Sequence, residues 1–372
     1  MIPIAKPYFG PEEEAAAAAV LRSGWVTQGP RVAEFETAFA AYVGAPHAVA
    51  LSSCTTAMHA TFVALGIGAG DEVVCPSLSF IATANSVVHA GAVPVFADVD
   101  ERTMNLSPAA VERAIGPRTK AILVAHQVGM PADLDELSAL ARARGLALVE
   151  DAACAVGARY HGVRVGQPHG VAAAFSFHPR KILSCGEGGM VTTADAALAE
   201  RLRRLRHHGM SVSDLARHRG YVRESYVEIG FNFRMTDLQA AIALVQLGRL
   251  DGMLARRRAL ASRYDQLLGG AAGVETPSVP GDREHNYQTY MVRLRGGGAA
   301  RRDAVLEKLM TAGVSTRPGV MSAHREPPYA SRRVELPVTT ALADETLALP
   351  LYHELSEADQ DRVVAALRTV AV

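Results

Sequence analysis

Hydrophobic positions along the chain fall into two alternating patterns. Short apolar runs at residues 48–52, 71–76, 93–100, 120–126, 146–151 and 172–177 have the length and bounding residues of buried strands. Around them lie segments with one apolar stripe at helical spacing, at 11–23, 31–45, 55–68, 79–92 and 131–145. The first of these opens on Pro11, continues through Glu12, Glu13 and Glu14 into alanines, and can stop at Gly24. Strands alternating with helices predict an α/β fold whose mainly parallel sheet is covered on both faces. Residues 235–268 read as one long helix, followed by a strand near 287–294 and helices near 299–313 and 357–370. The expected division is a large domain over 1–235, a linking helix over 236–268 and a smaller C-terminal α/β domain over 269–372.

Ligands of such sheets bind at the carboxyl ends of the strands. That directs attention to residues 53–56, 77–80, 151–154 and the segment after 177. The composition narrows the chemistry. The 38 basic and 38 acidic residues cancel, so no basic field favours nucleic acid. No apolar run approaches the roughly 20 residues needed to span a bilayer. The N-terminus has no apolar signal region and turns acidic at once, so the expected location is cytoplasmic. Cys54, Cys75, Cys154 and Cys185 form no C-x-x-C pair and no zinc spacing, which fits free thiols in a reducing compartment. No metal is expected, since His207, His208 and the scattered histidines lack the spacing of a helical metal site. They read as solvated or capping residues. The GIGAG run at 66–70 follows a helix and has Asp71 where a dinucleotide loop needs glycine, so it reads as a helix stop and turn.

Three features carry chemistry. Glu150 and Asp151 end a buried strand, where a carboxylate is costly without a cationic partner; an ion pair or helix cap is the plain alternative. Lys181 is one of only four lysines, with Lys6, Lys120 and Lys308, in a chain that otherwise uses arginine. It follows a strand and precedes Gly186, Gly188 and Gly189, where an amine is useful because arginine forms no imine; a surface lysine is the alternative. The stretch 51–58, LSSCTTAM, runs from a strand into a helix whose free N–H groups, with Ser53, Thr55 and Thr56, suit an anion; an ordinary N-cap is equally compatible. Together they match the needs of pyridoxal 5'-phosphate (PLP): an acid for the ring nitrogen, a lysine for the imine and a helix N-terminus for the phosphate. Phe80 is placed to cover the ring, or to fill core.

At this point the chain resembles the DegT/StrS-type sugar aminotransferases, within the fold-type I PLP enzymes. The resemblance covers nearly the whole chain in ordered blocks: SGWVTQGPRVAEFETAFAAYVGA, SSCTTAMHATFVALGIGAGDEVVCPSLSFIATAN, AGAVPVFADVD, VEDAACAVGA, FSFHPRKILSCGEGGMV, GFNFRMTDLQAAIALVQLGRLD and LPLYHELSEADQDRVVAAL. The S-F-H-x-x-K element with its G-E-G-G is the most specific. The resemblance implies an aspartate-aminotransferase-like fold with a seven-stranded sheet. It implies that Lys181 forms the Schiff base and moves protons, that Asp151 pairs with the pyridine nitrogen and that Phe80 stacks on the ring. Cys54, Thr55 and Ser176 would meet the phosphate, and Asn232 would reach the phosphate of a neighbouring subunit, so a homodimer with shared sites is expected. Many members carry Gln or His three residues after the aspartate. Here Cys154 stands beside the cofactor, a smaller and weaker donor; Cys185 lies in the loop after Lys181. Members that dehydrate sugars carry histidine in place of the lysine, so Lys181 favours transamination.

The implied reaction has two halves. An amino donor, L-glutamate, converts PLP to pyridoxamine 5'-phosphate, which then aminates a keto sugar, expected to be nucleotide-linked. Lys181 needs a depressed pKa to act when free, which burial or a neighbouring cation would supply. Acceptor contacts are expected among Trp25, Thr27, Arg317, His324 and Tyr329. A keto-cyclitol or other small ketone fits the same machinery. So does a non-catalytic PLP-binding regulator, although such proteins usually lose the lysine or the acid.

Overall fold

The computed structural model describes residues 1–212 and 222–371. Its centre is a seven-stranded sheet. The strands are β1 (His47–Leu51), β2 (Glu72–Pro76), β3 (Val93–Ala97), β4 (Thr119–Ala125), β5 (Ala147–Asp151), β8 (Ala172–Ser176) and β9 (Gly189–Thr193). Their order is β1-β9-β8-β5-β4-β2-β3. β3, β2, β4, β5 and β8 pair in parallel, while β9 runs antiparallel to both its neighbours. The small pairs β6 (Arg159–Tyr160) and β7 (Val163–Arg164) join β11 (Arg283–Glu284) in a three-stranded sheet.

Alternation along each strand splits its side chains between two faces. Val49 and Leu51 of β1 pack with α3 (Cys54–Ala64), α4 (Ala82–His89) and α7 (Ala196–Leu205) on one face. Ala48 and Ala50 turn to the other, against α2 (Pro30–Val43) and the long α8 (Asp237–Leu268). Further along that second face, Val74, Ile122 and Leu148 meet α5 (Pro108–Ala114) and α6 (Leu134–Arg144). Every strand is therefore covered, as the near-continuous apolar runs require. The initial α1 (Pro11–Ser23) lies against α8 and stops at Gly24, whose φ of 73° suits glycine. The carboxylate of buried Asp237 accepts the N–H groups of Gly29, Arg31 and Val32, so the first turn of α8 also caps α2.

The remaining strands, β10 (Val274–Glu275), β12 (Tyr290–Leu294), β13 (Arg317–Pro318) and β14 (Thr346–Leu349), form a smaller antiparallel sheet. It packs with the end of α8, α9 (Gly298–Thr311) and α11 (Glu357–Val370) around Tyr264, Tyr290, Leu309 and Leu367. A short α10 (Pro337–Glu345) precedes β14. Ile2 joins this cluster and exchanges backbone hydrogen bonds with Gly313 and Ser315.

The helix expected over 79–92 is shorter, at Ala82–His89. Ser79 N–H bonds the carbonyls of Ser77 and Met321, so residues 77–80 form a turn. β9, α7 and α10 are additional elements. Among the described residues, no helix is long and apolar enough to cross a membrane.

Candidate active site

The carboxyl ends of β1, β4, β5 and β8 open into a cavity of about 530 Å³. Asp151, the last residue of β5, is 7% exposed, and that remainder faces the cavity. Its carboxylate is held on both oxygens. Oδ1 accepts the Ala153 N–H at 3.1 Å, and Oδ2 accepts the Thr83 hydroxyl at 2.7 Å. A carboxylate only accepts, so the single Thr83 proton points to Asp151, and Thr83 must accept from Ser79 Oγ, 2.7 Å away. Thr83 and Ser79 belong to the site without having stood out in the sequence. Nothing in ATANSVVH marks a threonine that meets an acid 68 residues further on.

Lys181 sits in the loop that joins β8 to β9. Its N–H donates to the His178 carbonyl at 2.8 Å, closing a turn, and Phe177 pairs with Gly188 and Cys185 to seal the loop base. The Lys181 Nζ lies 3.1 Å from Cys154 Sγ. Burial pulls the Lys181 pKa down, but the electrostatic pull of Cys154, the hydrogen bond to it, and the further contributions of Asp151 and Cys54 outweigh it, and the net displacement is upward. That is opposite to the depressed value expected for a free base. The reason is chemical: the group beside the amine is the Cys154 thiol, with the Asp151 carboxylate behind it. Burial holds the Cys54 thiol itself well above its usual range.

The N-terminus of α3 faces the same cavity. Ser53 caps it by accepting the Thr56 N–H at 3.1 Å, leaving the Cys54 and Thr55 amides, which have no intrahelical acceptor, toward the cavity. Behind this turn β9 passes so close that a Cβ on Gly189 would stand 2.3 Å from the Ser53 carbonyl, so glycine is required there. Ser176 ends β8 at the cavity. Phe80 is 62% exposed and lines the cavity, an unusual state for a phenylalanine and one that suits a flat ring packing on it. The geometry thus joins an amine, a carboxylate, an anion-binding helix end and an uncovered aromatic face.

The sequence matches the DegT/DnrJ/EryC1/StrS aminotransferase family over residues 7–368. The chain belongs to this family. The family is PLP-dependent. Among solved structures, the chain is similar to the aminotransferase TlmJ from Streptoalloteichus hindustanus. The two share 38% identity, with 99% of this chain and 98% of that one covered and a TM-score of 0.93. It is also similar to S. venezuelae DesV in complex with a ketimine intermediate, at 39% identity, 97% and 94% coverage and a TM-score of 0.89. A Streptococcus pneumoniae protein of sugar-aminotransferase type, solved in its PMP form, shares 27% identity, 100% and 99% coverage and a TM-score of 0.94. This family member is therefore an aminotransferase with an α/β fold of the same kind as these enzymes.

The residues singled out in the sequence divide by position. Lys181, Asp151, Cys54, Thr55, Phe80, Cys154, Ser176 and Arg317 line the one cavity. Trp25, Thr27, Asn232, His324 and Tyr329 do not. Trp25 Nε1 donates to the Gln28 carbonyl, and the Thr27 carbonyl accepts the Asp237 N–H, which fixes that segment at the start of α8. His324 Nδ1 lies 2.6 Å from Ser77 Oγ, and that oxygen also accepts the His324 backbone N–H. Tyr329 is buried against Phe96, with its hydroxyl on Asn85 Oδ1 at 2.6 Å. Asn232 is exposed. His207, expected to be solvated, is buried, with Nδ1 2.9 Å from Arg234 Nη1. The lining also includes His178, Arg180, Glu187, Gln288 and Val128. Among the described residues, no group of three or more His, Cys, Asp or Glu side chains could hold a metal ion.

Proposed function

We propose that the protein transfers the amino group of L-glutamate to a keto sugar carried on a nucleoside diphosphate, with PLP held in the cavity of Lys181. The observation that carries this reading is the shared cavity. The Lys181 amine, the Asp151 carboxylate and the start of α3 face one space and together offer the three roles that such a cofactor needs. When bound, PLP supplies a carbonyl for the amino group and a protonated ring that withdraws electrons from the carbon bearing it.

The chain's own groups do the rest. The Cys54 and Thr55 amides, with the Ser176 hydroxyl, hold the phosphate at the positive end of α3. Asp151, oriented by Thr83 and the Ala153 N–H, is the partner of the protonated ring nitrogen. Phe80 covers the ring face. Lys181 Nζ takes the proton from the donor's α-carbon and later delivers one to the acceptor carbon, with Cys154 beside it holding the amine. Arg180 and Arg317, both exposed at the cavity, suit the carboxylates of glutamate and the diphosphate of the acceptor in turn.

A homodimer completes this reading, with Asn232 of each subunit serving the phosphate of the other. Support comes from Asn232 standing exposed and outside its own chain's cavity, near Tyr226, Val227 and Ile229, which are 60%, 59% and 91% exposed.

The test is Lys181→Ala in the PLP-loaded protein, with L-glutamate and a panel of nucleotide-linked keto sugars. Formation of 2-oxoglutarate should fall by several powers of ten, because a covalent amine and a proton carrier are lost together. Turnover at the wild-type rate would sink the mechanism. Wild-type amination of free small ketones in preference to the nucleotide-linked ones would sink the acceptor class alone.

A further inference from the structure

Lys181 is held from outside its own loop by a stretch of the C-terminal half, residues 285–289. The Gln288 side chain brackets the lysine. Its Nε2 donates to the Arg180 carbonyl at 2.6 Å, and its Oε1 accepts the Ile182 N–H at 3.1 Å. One amide thus satisfies the backbone on both sides of Lys181, much as a neighbouring strand would. Gln288 is itself fixed. Its N–H donates to Asn286 Oδ1 at 2.8 Å, and Arg257 donates to its carbonyl at 2.8 Å. Asn286, fully buried, spends both amide protons on the other side of the site, on the carbonyls of Cys154 at 2.8 Å and Val156 at 2.9 Å. Two side chains of one short segment therefore grip the backbone on either side of Lys181 and the carbonyl of Cys154, the two residues whose side chains meet at 3.1 Å.

The segment is forced into place. Tyr287, between the two amides, has φ 52°, and Val128, which lines the cavity, has φ 51°. Left-handed backbone is rare for a bulky or β-branched residue and persists only where its surroundings dictate it. The Thr289 N–H reaches the Val128 carbonyl at 3.2 Å. At Gly129 any Cβ would overlap Asn286 Oδ1, at 1.8 Å. Strain on both sides of the contact is the mark of a segment placed for what it holds.

We infer that Gln288, backed by Asn286, is a positioning residue for the amine of Lys181. It acts through the Arg180 carbonyl and the Ile182 N–H, and sets where Nζ stands relative to Cys154 and Asp151. The inference rests on the reading of Lys181 as the cofactor-bearing residue.

The test compares Gln288→Leu, which loses both bonds, and Gln288→Glu, which keeps the acceptor for Ile182 and sets a second acceptor against the Arg180 carbonyl. Gln360→Leu is the control. That glutamine is also buried and hydrogen-bonded, to the Leu260 carbonyl, but in the C-terminal cluster. Hydrogen exchange of the full-length protein, with and without PLP, should speed up at residues 178–186 in both Gln288 variants and stay unchanged in the control. In the loaded enzyme kcat should fall by about 100-fold in Gln288→Leu, the scale of a displaced reacting group, with KM for glutamate within a few-fold. Gln288→Glu should show the same split, and it serves alone if the leucine variant does not fold. Wild-type exchange at 178–186 in the Gln288 variants, or an equal kcat loss in Gln360→Leu, overturns the inference. If borohydride reduction of the wild-type holoprotein fails to fix the cofactor on Lys181, the underlying reading falls, and the inference with it.

Discussion

Thr83→Val separates a hydroxyl that serves a charge from one that merely fills a helix. The Thr83 hydroxyl lies 2.7 Å from Asp151 Oδ2, with Thr83 1% exposed and Asp151 7% exposed. Hydrogen bonds to charged partners contribute about 1.5–3 kcal/mol, and neutral ones about 0.5–1.5 kcal/mol. Valine removes the donor and also leaves the Ser79 hydroxyl without its acceptor. The expected loss is therefore about 2–3 kcal/mol in the cofactor-free protein. Ser79→Ala breaks only the outer, neutral link and should cost about 1 kcal/mol. Asp151→Asn keeps an acceptor for Thr83 but removes the charge. In that background Thr83→Val should cost only the neutral amount, giving a coupling of about 1 kcal/mol between the two positions. Urea midpoints of the five proteins, wild type included, at a shared slope measure this. PLP titrations of the same set should show weaker binding in Thr83→Val than in Ser79→Ala, because only the former frees the carboxylate to turn. Equal costs for Thr83→Val in both backgrounds, or a Thr83→Val cost no greater than that of Ser79→Ala, would refute the assignment of Thr83 as the donor that holds Asp151.

Two further expectations concern pH. Cys154 is a principal cause of the raised pKa of Lys181, so Cys154→Ala should shift it down, and the cofactor-free protein should react with an amine reagent at lower pH than wild type. A lysine raised in the fold contributes stability that is present below its unfolded pKa and lost as pH rises through the folded one. Cys154→Ala should therefore cost stability at neutral pH, and the gap to wild type should close in strong alkali; a gap constant across that range would count against the Lys181–Cys154 pairing. His285 is the opposite case. Its burial, beside Arg257 and Arg258, lowers its pKa to about 3 from the ordinary imidazole value of about 6.5, so the unfolded chain takes up a proton that the fold refuses. Stability should be lost as pH falls from about 6.5 toward about 3, and a His285→Gln variant should show a shallower fall over that window; parallel curves would exclude a neutral buried imidazole.

Much of this architecture is legible in the sequence because it is local. An apolar run that ends in Glu150–Asp151 is a strand with its carboxyl end marked, and the structure places Asp151 there. Lys181 stands out because the chain elsewhere uses arginine. Ser53 before a helical stripe reads as a cap, and it is one. What is missed depends on distance along the chain. β9 is five residues after a glycine-rich turn, and its place between β1 and β8 comes from pairing not only with the preceding strand but with β1, far from it in sequence. Thr83 and Gln288 are unremarkable until the fold sets one against residue 151 and the other against residues 180 and 182. His324 and Tyr329 lie in a segment of short turns, where no periodicity distinguishes a side chain that lines a cavity from one that packs beneath it. In the fold, Ser77 and Asn85 engage both.

The same difference in distance divides the cavity into two parts. Its polar floor comes from strand ends and helix starts of the large sheet, where backbone geometry sets each residue: the α3 amides, Asp151, Ser176 and the Lys181 turn. Another part of its wall comes from Ile4 and Ala5 at the N-terminus and from residues 317–321, 348, 349 and 351 around β13 and β14. Leu349 and Leu351 belong to the C-terminal core, whereas residues 317–321 lie on the edge strand β13 and the segment after it, where insertion and substitution disturb little of the core. Chemistry at Lys181 and shape at Arg317–Met321 can thus change separately. An enzyme built this way can keep one reaction while the ketone it accepts is set by side chains that carry no motif. The floor is therefore readable from Asp151, Lys181 and the α3 cap, whereas of this wall the sequence singles out Arg317 alone, and its neighbours became visible only when the fold brought residues 4–5 and 317–351 to the same opening.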